Sequence, residues 1–338
     1  MKQVTFTLRT LTPLFLAGAD QTSAELRAPT FRGLMRYWYR ALMGSVVGAS
    51  KESLPLVMKA ETAIFGATDM GSHISIRISE ASKDPQRFQK ESYSRENVSG
   101  RDYLLWSMAA SGKGERYKPD RLLFPKDTTF RVTLSSKGDD DTKLQQAIAS
   151  FWLLTHLGGI GSRSRRCAGS VTVDDIDGDN NKTTGLSFAP PENIEDLQRQ
   201  ISEGIKITQK LARESLPTDT LTSVTQTAFD ALAQKTCSIW LLHNDNWHTP
   251  DTAMRAIGSN LQTYRRDLPL QSRTIFGLPL MGVDNRSRHA SPLLLRMVEL
   301  QKGNYASIAV LFKTGHNRDY APIEKWANGF PGRTKVML

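Results

Sequence analysis

Alternation of apolar and polar residues predicts four strands and two helices in the first half of the chain. Val4, Phe6 and Leu8 alternate with polar neighbours, which is the period of a half-buried strand. The other predicted elements are a helix at about 31–43 with Thr30 as N-cap and Gly44 as stop, strands at 73–79 and 129–134, a helix at 141–157 and a strand at 170–173. The order is β-α-β-β-α-β, the ferredoxin-like arrangement of RNA-recognition modules.

The second half repeats this order after an amphipathic connecting helix around Ile194–Ile205. Its predicted elements are a strand at 237–242, a helix at 251–264, strands at 291–300 and 305–312, a helix at 321–328 and a strand at 334–338. IFGATDMG at 64–71 resembles IFGLPLMG at 275–282, and both lie between a helix and the next strand, which indicates duplication. We therefore expect an α+β fold of two tandem ferredoxin-like (RRM-like) modules, residues 1–190 and 191–338, with a long insertion at about 80–121 in the first.

The charge balance points to a partner that carries phosphates. The 338 residues include 44 Lys and Arg against 34 Asp and Glu, a net charge of +10. Such an excess is typical of proteins that bind RNA or DNA. No apolar run approaches a membrane span, the N-terminus lacks the apolar core of a signal peptide, and two distant cysteines argue against a disulfide framework. We expect a cytoplasmic protein without a membrane partner.

The segment LGGIGSRSRRCAGSV at 157–171 is the strongest candidate for phosphate binding. Gly159 and Gly161 let the backbone approach a ligand closely, and consecutive amides in such a loop can form an anion-binding nest. Arg163, Arg165 and Arg166 add forked donors that match phosphate geometry. The segment is neither a Walker loop nor a Rossmann fingerprint. The alternative is a solvated glycine turn with surface arginines.

Two further sets of arginines are candidate RNA contacts. Arg32, Arg36 and Arg40 share one face of the first predicted helix, Arg27 begins the segment RAPTFRGLMRYWYRALMG that contains it, and no acidic residue occurs from 28 to 51. We expect this face to be free for phosphates or for carboxylates of a partner; the alternative is a solvated helix surface. In the second half the candidates are Arg273, Arg286 and Arg288. We expect them to continue the basic surface of the first module, the alternative being a solvated hairpin approach.

Asp20 and His156 are the candidates for catalysis, and both have simpler explanations. Asp20 follows the first strand and could position a 2′-hydroxyl for in-line attack, but Gly-Ala-Asp is also ordinary turn chemistry. His156 could stack on a base or donate to phosphate, or it could be a structural histidine. The spacing of His243, His248 and His289 is not that of a zinc site, so we expect neither a metal nor a cofactor.

Several motifs in order resemble one known family. RAPTFRGLMRYWYR, GGIGSRSRR, FGLPL and RSRHASPLLLR together resemble the RAMP superfamily of CRISPR effector proteins and, more narrowly, the first subunit of the type III-B (Cmr) effector complex. The resemblance extends from Val4 to about Val298. It implies two ferredoxin-like modules that bind guide or target RNA, or both, beside other Cmr-complex subunits. In backbone RAMP subunits an aspartate in a loop comparable to that of Asp20 promotes RNA cleavage.

These observations favour a non-catalytic RNA-binding subunit of a type III-B CRISPR ribonucleoprotein in antiviral defence. One alternative is a RAMP endoribonuclease that uses Asp20 or His156. The other is a protein scaffold whose basic patches meet acidic partner surfaces. RNA binding by the isolated chain separates the favoured hypothesis from the scaffold.

Overall fold

The computed structural model describes residues 2–20, 22–92, 98–138, 141–178, 184–216, 227–278, 289–315 and 318–338. Its strands are β1 (Gln3–Thr10), β2 (Ile74–Ile78), β3 (Gln86–Arg87), β4 (Leu122–Leu123), β5 (Thr129–Ser136), β6 (Val171–Asp177), β7 (Cys237–His243), β8 (Leu293–Glu299), β9 (Tyr305–Phe312) and β10 (Arg333–Val336). Its helices are α1 (Ala28–Val47), α2 (Leu54–Phe65), α3 (Gly100–Leu105), α4 (Asp141–Leu157), α5 (Ile194–Glu214), α6 (Pro250–Asp267), α7 (Leu270–Arg273) and α8 (Ala321–Gly329). None of these helices is long and apolar enough to cross a membrane.

The first sheet is antiparallel, and its strand order is β2-β5-β1-β6. Val4, Phe6 and Leu8 are fully buried against α1 and α4, as the alternation in β1 predicts. The alternate residues Thr5, Thr7 and Arg9 lie on the opposite face. Helices therefore cover one face of this sheet, and the other face is built of polar side chains.

Helix α1 differs at both ends from the helix expected at 31–43. It begins at Ala28 behind an extended Arg27, so Thr30 is not its N-cap. It continues through Gly44 and ends at Gly48, whose φ is +89°. A Cβ on Gly44 would lie 2.8 Å from the ring of Phe229, so this glycine makes room for packing and does not stop the helix. The expected N-cap and stop are both wrong.

The second sheet is buried on both faces, and its strand order is β10-β7-β9-β8. One face, with Ile239 and Ile308, joins the core formed by α1, α4 and α5. The other face, with Trp240 and Leu311, packs on α6 and α8. All eight residues of β9 are buried. Burial on both faces explains why these strands read as continuous apolar runs without alternation.

The two halves also share a local feature at the repeated IFG sequence. Ile64 and Phe65 end α2, Ile275 and Phe276 end a 3-10 turn, and each pair precedes the next strand of its sheet. The following glycines have positive φ, +78° at Gly66 and +117° at Gly277. The equivalent placement expected for these three residues is confirmed, whereas positions 279–282 of the second copy lie outside the described residues.

The insertion at about 80–121 forms structure of its own and bridges the two halves. Helix α3 crosses α6 so closely that a Cβ on Gly258 would lie 1.9 Å from the carbonyl oxygen of Gly100. Ion pairs reinforce the crossing, because Glu91 accepts from Arg255 at 2.7 Å and Arg101 lies 3.1 Å from Asp251. Only glycine at the crossing permits this approach of two helical backbones.

We predict that Gly258→Ala separates α3 from α6 and destabilises the protein by about 1–3 kcal/mol, the usual cost of overpacking. Gly33→Ala is the matched control, since a Cβ at that helical position meets no atom within 4 Å. The control should be neutral or stabilising by up to about 1 kcal/mol. Denaturant unfolding of both variants measures the difference, and equal midpoints would contradict the close crossing.

In addition to the crossing of α3 and α6, hydrogen bonds connect the loop at 157–171 to strand β8. The amide of Cys167 donates to Leu295 O at 2.8 Å, and the amide of Met297 donates to Ser170 Oγ at 2.9 Å. The guanidinium of Arg166 is 7% exposed and donates to Leu293 O at 3.0 Å and Phe276 O at 2.9 Å. Burial, helped by the nearby cation of Arg163, lowers the pKa of Arg166 to about 9. We refer to these contacts as the loop–β8 joint.

Arg166→Met should destabilise the fold by about 2 kcal/mol or more, because buried carbonyls of Leu293 and Phe276 lose their donor. Arg333→Met, at an exposed position of β10, should leave stability within about 0.5 kcal/mol of the parent. Chemical denaturation of both variants tests this. A parental midpoint for Arg166→Met would mean that the guanidinium does not hold the joint.

Candidate nucleic-acid interface

A cleft of about 820 Å³ lies between the arginine loop, the end of α3, the end of α6 and the chain that leads into β8. We call it the arginine cleft. Its lining residues are Tyr103, Trp106, Arg163, Ser164, Arg165, Arg166, Arg265, Phe276, Gly277, Leu278, His289, Ala290 and Ser291. Four of them are arginines, and no Asp or Glu occurs among the described residues that line the cleft.

Neutral acceptors hold the guanidiniums of the arginine cleft. Arg163 Nε donates to Leu104 O at 2.8 Å, and Arg165 Nη1 donates to Ser291 O at 2.6 Å. Arg265 Nη1 donates to Tyr103 Oη at 2.6 Å, and its buried Nε has no acceptor among the described residues. Within the described ranges, ion pairs with carboxylates form elsewhere on the molecule and not on these side chains. Within the part of the chain that the structure describes, the cleft therefore carries oriented positive charge without a neutralising carboxylate.

Clustering of these cations has an electrostatic cost that an anion would relieve. Burial lowers the pKa of Arg163 to about 10, and the neighbouring charge of Arg265 acts in the same direction. Arg163 stays protonated at neutral pH, so its repulsion with the Arg265 guanidinium persists. An anionic ligand would replace repulsion by attraction in a partly dehydrated site, where charges interact more strongly than in water.

Aromatic side chains form the rest of the wall. Trp106 follows α3 directly and is 62% exposed. The guanidinium of Arg265 lies 5.3 Å from the ring centre of Phe276, which fixes both groups. Tyr103, Trp106 and Arg265 were not among the expected site residues. The signal that could have found the first two is the aromatic island YLLWSM inside the polar insertion.

The glycines of the loop serve packing within the protein. Gly161 has φ +82°, and a Cβ there would lie 2.3 Å from Phe15 O. A Cβ on Gly159 would come within 3.1 Å of Ala168 O. The amides of Ile160 and Ser162 donate to Gly169 O and Phe15 O, each at 2.9 Å. The expected anion nest is wrong for these amides, and the view of the loop arginines as simple surface groups is wrong for Arg166.

The arginine face of α1 is not free, which corrects a second expectation. Helix α2, absent from the elements expected from the sequence, packs on it. Arg40 Nη1 lies 2.9 Å from Glu61 Oε2, and Arg36 also pairs with Glu61, whose side chain is 3% exposed. Arg32 donates to Phe65 O at 3.2 Å. Arg36 and Arg40 thus pair with the carboxylate of Glu61, and Arg32 caps the C-terminal end of α2. Arg27 lies outside this cluster, 3.6 Å from Glu25.

Of the three candidate arginines in the second half, the structure describes only Arg273. Arg273 donates to Leu268 O at 2.8 Å and Arg266 O at 2.6 Å, so it satisfies carbonyls around the end of α6. Arg286 and Arg288 lie outside the described residues. Arg163 and Arg166 share one cleft, and a basic surface that continues from them to Arg288 stays a prediction.

The polar face of the first sheet, opposite the helices, lacks the groups with which RNA-recognition modules stack bases. Following the register from β1, this face presents Gln3, Thr5, Thr7, Arg9, Ser75, Arg77, Thr129, Arg131, Thr133, Ser135, Thr172, Asp175 and Asp177. None of these is aromatic. Because sheet-bound RNA stacks on aromatic side chains, the arginine cleft is the better candidate for base recognition.

Asp20 has the environment of a turn residue. Its Oδ1 accepts hydrogen bonds from the Thr22 amide at 3.0 Å and Ser23 Oγ at 2.7 Å, and its Oδ2 accepts from Thr22 Oγ1 at 2.7 Å. The bonds from Ser23 and Thr22 hold the pKa of Asp20 well below its usual range. Both oxygens thus stabilise the turn that follows β1.

His156 lies apart from Asp20 and from the arginine cleft. It stacks on Trp152 with ring centres 4.2 Å apart, and its Nδ1 lies 2.9 Å from Trp152 O. It borders a crevice of only about 30 Å³. Burial, and secondarily Arg296, lowers its pKa to about 3. No group of three His, Cys, Asp or Glu side chains in the described ranges is arranged to hold a metal.

Comparison with known proteins agrees with the resemblance in the motifs. The RAMP superfamily model matches residues 7–172. The chain is 27% identical to the CRISPR system Cmr subunit Cmr1-1 of Pyrococcus furiosus over 299 residues, 86% of this chain and 81% of the relative. It is 32% identical to Cmr1-2 of the same organism over 184 residues, 51% of this chain and 96% of the relative.

Solved structures show the same fold. The crystal structure of apo Cmr1 from P. furiosus has a TM-score of 0.71 at 21% identity, with 100% of this chain and 99% of that chain covered. A subunit of the type III-B Cmr-beta complex bound to cognate target RNA, solved by cryo-EM, has a TM-score of 0.64 at 12% identity, with 97% and 99% covered. The chain belongs to the RAMP superfamily and, within it, to the Cmr1 subunits of CRISPR Cmr systems.

Proposed function

We propose that this chain is a non-catalytic, cytoplasmic RNA-binding subunit of a type III-B CRISPR effector complex. It would contact guide or target RNA and other Cmr subunits. The observation that carries the proposal is the arginine cleft, where four guanidiniums and an exposed tryptophan occur without a described carboxylate. Phosphates complement this charge and bases complement the ring.

The comparisons support the same assignment. Both P. furiosus relatives are Cmr subunits, and the Cmr-beta structure was determined with target RNA. The net charge of +10 would increase association with a polyanion. In the scaffold hypothesis, an acidic protein partner would also complement the positive charge of this chain. The combination of a cleft, aromatic groups and arginines favours a nucleic acid over a flat acidic protein surface.

We infer that each sheet is the core of a ferredoxin-like module. In both halves the first and third strands of a β-α-β-β-α-β series lie in the centre, with the second and fourth at the edges. That order supports modules at 1–190 and 191–338 and an insertion at about 80–121 in the first. Helix α5 would then be the connection, since it packs on α4, where a Cβ on Gly204 would lie 2.1 Å from Trp152.

Neither Asp20 nor His156 has an environment suited to catalysis of RNA cleavage. Lowering the pKa of Asp20 makes it a weak general base, and its hydrogen bonds occupy both oxygens. His156 holds Trp152 O with Nδ1 and faces a crevice too small for a phosphodiester. An endoribonuclease that uses either residue is therefore not the function we propose.

Arg165→Ala should weaken RNA binding while largely preserving the fold, because this side chain makes one carbonyl bond and no described ion pair. Loss of one phosphate contact lowers the salt slope of log K by about 0.7 for a single strand. Arg333→Ala is the control, since Arg333 lies on β10 at the sheet edge opposite the loop–β8 joint.

Filter binding of a single-stranded RNA between 50 and 200 mM salt, a range over which phosphate contacts are strongly screened, measures both quantities. Arg165→Ala should show a weaker affinity and a smaller slope, and Arg333→Ala should show neither. Equal affinity and slope in all three proteins would remove Arg165 from the interface. Failure of the parent protein to bind RNA would refute the proposed function.

His156 gives a prediction on pH. Its pKa is about 3 in the folded protein and 6.5 at its ordinary value, so below pH 6.5 the unfolded chain binds a proton that the folded protein does not. Stability is therefore fully present above pH 6.5 and falls by up to about 1.4 kcal/mol per unit as pH decreases towards 3. In His156→Gln this contribution disappears. Denaturant midpoints from pH 7 to pH 4.5 test it, and identical slopes for parent and His156→Gln would show that His156 is not held neutral.

A further inference from the structure

We propose that the arginine cleft holds one unpaired nucleotide, whose base stacks on Trp106 and whose phosphate lies against Arg163 and Arg265. This inference rests on the proposed function, because it specifies which form of RNA the same cleft accepts. It commits to a single-stranded or everted nucleotide and excludes a base-paired duplex as the occupant of the cleft.

Trp106 provides the first argument. It belongs to the short apolar island that includes the end of α3, yet Trp106 is 62% exposed while its neighbours Leu104 and Leu105 are completely buried. Exposing this much of an indole has a free-energy cost, which a ligand that covers the ring would recover. Every base has a π-face, so a tryptophan at the rim of a basic cleft is suited to stacking with an unpaired base.

The same hydrogen bonds position the indole of Trp106 and the guanidiniums of Arg163 and Arg265. Arg163 Nε donates to Leu104 O, two residues before Trp106, at 2.8 Å. Arg265 donates to the hydroxyl of Tyr103, one turn of α3 before Trp106, at 2.6 Å. Two guanidiniums are thereby fixed to the backbone and side chains of the segment that presents the indole. A phosphate and its attached base could contact both groups without rearrangement of the cleft.

The arginine cleft also has guanidinium donors without a described acceptor and a volume that suits a nucleotide. Arg163 Nη1 has no acceptor among the described residues, and Arg165 uses only Nη1 of its guanidinium in a hydrogen bond. A volume of about 820 Å³ is typical of sites for small ligands, and a nucleotide is of that kind. Bases in an A-form helix are stacked and paired, so a duplex offers no free π-face to a ring in such a cleft.

Binding of two probes by the full-length protein tests the inference: a single-stranded RNA with one 2-aminopurine, and a blunt-ended RNA duplex of the same length. Trp106→Ala should reduce affinity for the single strand about tenfold or more, the usual effect of losing one stacked base. Trp106→Phe should restore most of it. Affinity for the duplex should be the same in all variants.

Tyr117→Ala is the matched control, because Tyr117 is 58% exposed and is not among the residues that line the cleft. Stacking on Trp106 should also quench 2-aminopurine fluorescence in the parent and in Trp106→Phe, but not in Trp106→Ala. A melting temperature of Trp106→Ala equal to that of the parent would exclude a folding defect. The Phe variant provides the readout if the Ala variant does not fold.

The outcomes distinguish the two claims. If the parent binds RNA but Trp106→Ala binds single strand and duplex as tightly as the parent, the nucleotide site is refuted and the proposed function stands. Loss of affinity for duplex and single strand alike in Trp106→Ala would also overturn it. If the parent binds neither probe, the proposed function fails with it.

Discussion

The buried guanidinium of Arg166 is the interaction on which the arrangement of the two halves depends. It reaches from the loop after α4 to the carbonyl oxygen of Phe276, between α7 and β8, and to that of Leu293, the first residue of β8. A buried charge is tolerated only where hydrogen bonds replace its hydration, and here backbone carbonyls supply them. Because no carboxylate of the described chain takes part, the joint is held together while its positive charge is retained.

This choice of acceptor links the fold to the candidate function. On α1, Arg36 and Arg40 share the buried carboxylate of Glu61, so half of their combined charge is cancelled inside the protein. In the arginine cleft, Arg163, Arg165 and Arg265 bind carbonyl or hydroxyl oxygens. Their geometry is fixed equally well, but their charge remains available to a phosphate. The acceptor of each arginine thus decides whether its charge is available for ligand binding.

The sequence predicts the framework better than the site for physical reasons. Alternation in β1 and the helical register of α5 depend on local burial, and both are confirmed by the buried residues Val4, Phe6, Ile201 and Ile205. Helix α2 was missed although it supplies Glu61, the partner of the α1 arginines. The role of Arg166 could not be predicted because its acceptors lie 110 and 127 residues away. Composition gives the number of charges, whereas tertiary contacts determine which of them are neutralised.

Occupation of the arginine cleft is coupled to the stability of the loop–β8 joint. Burial, and after it the charges of Arg163 and Arg265, lowers the pKa of Arg166, so the folded protein holds three close cations at the contact between its halves. An anion bound beside these side chains would reduce that repulsion in the folded state and not in the unfolded chain. By linkage, such a ligand stabilises the native arrangement to the extent that it prefers that arrangement. A phosphate-bearing partner would therefore stabilise the loop–β8 joint as well as occupy the arginine cleft.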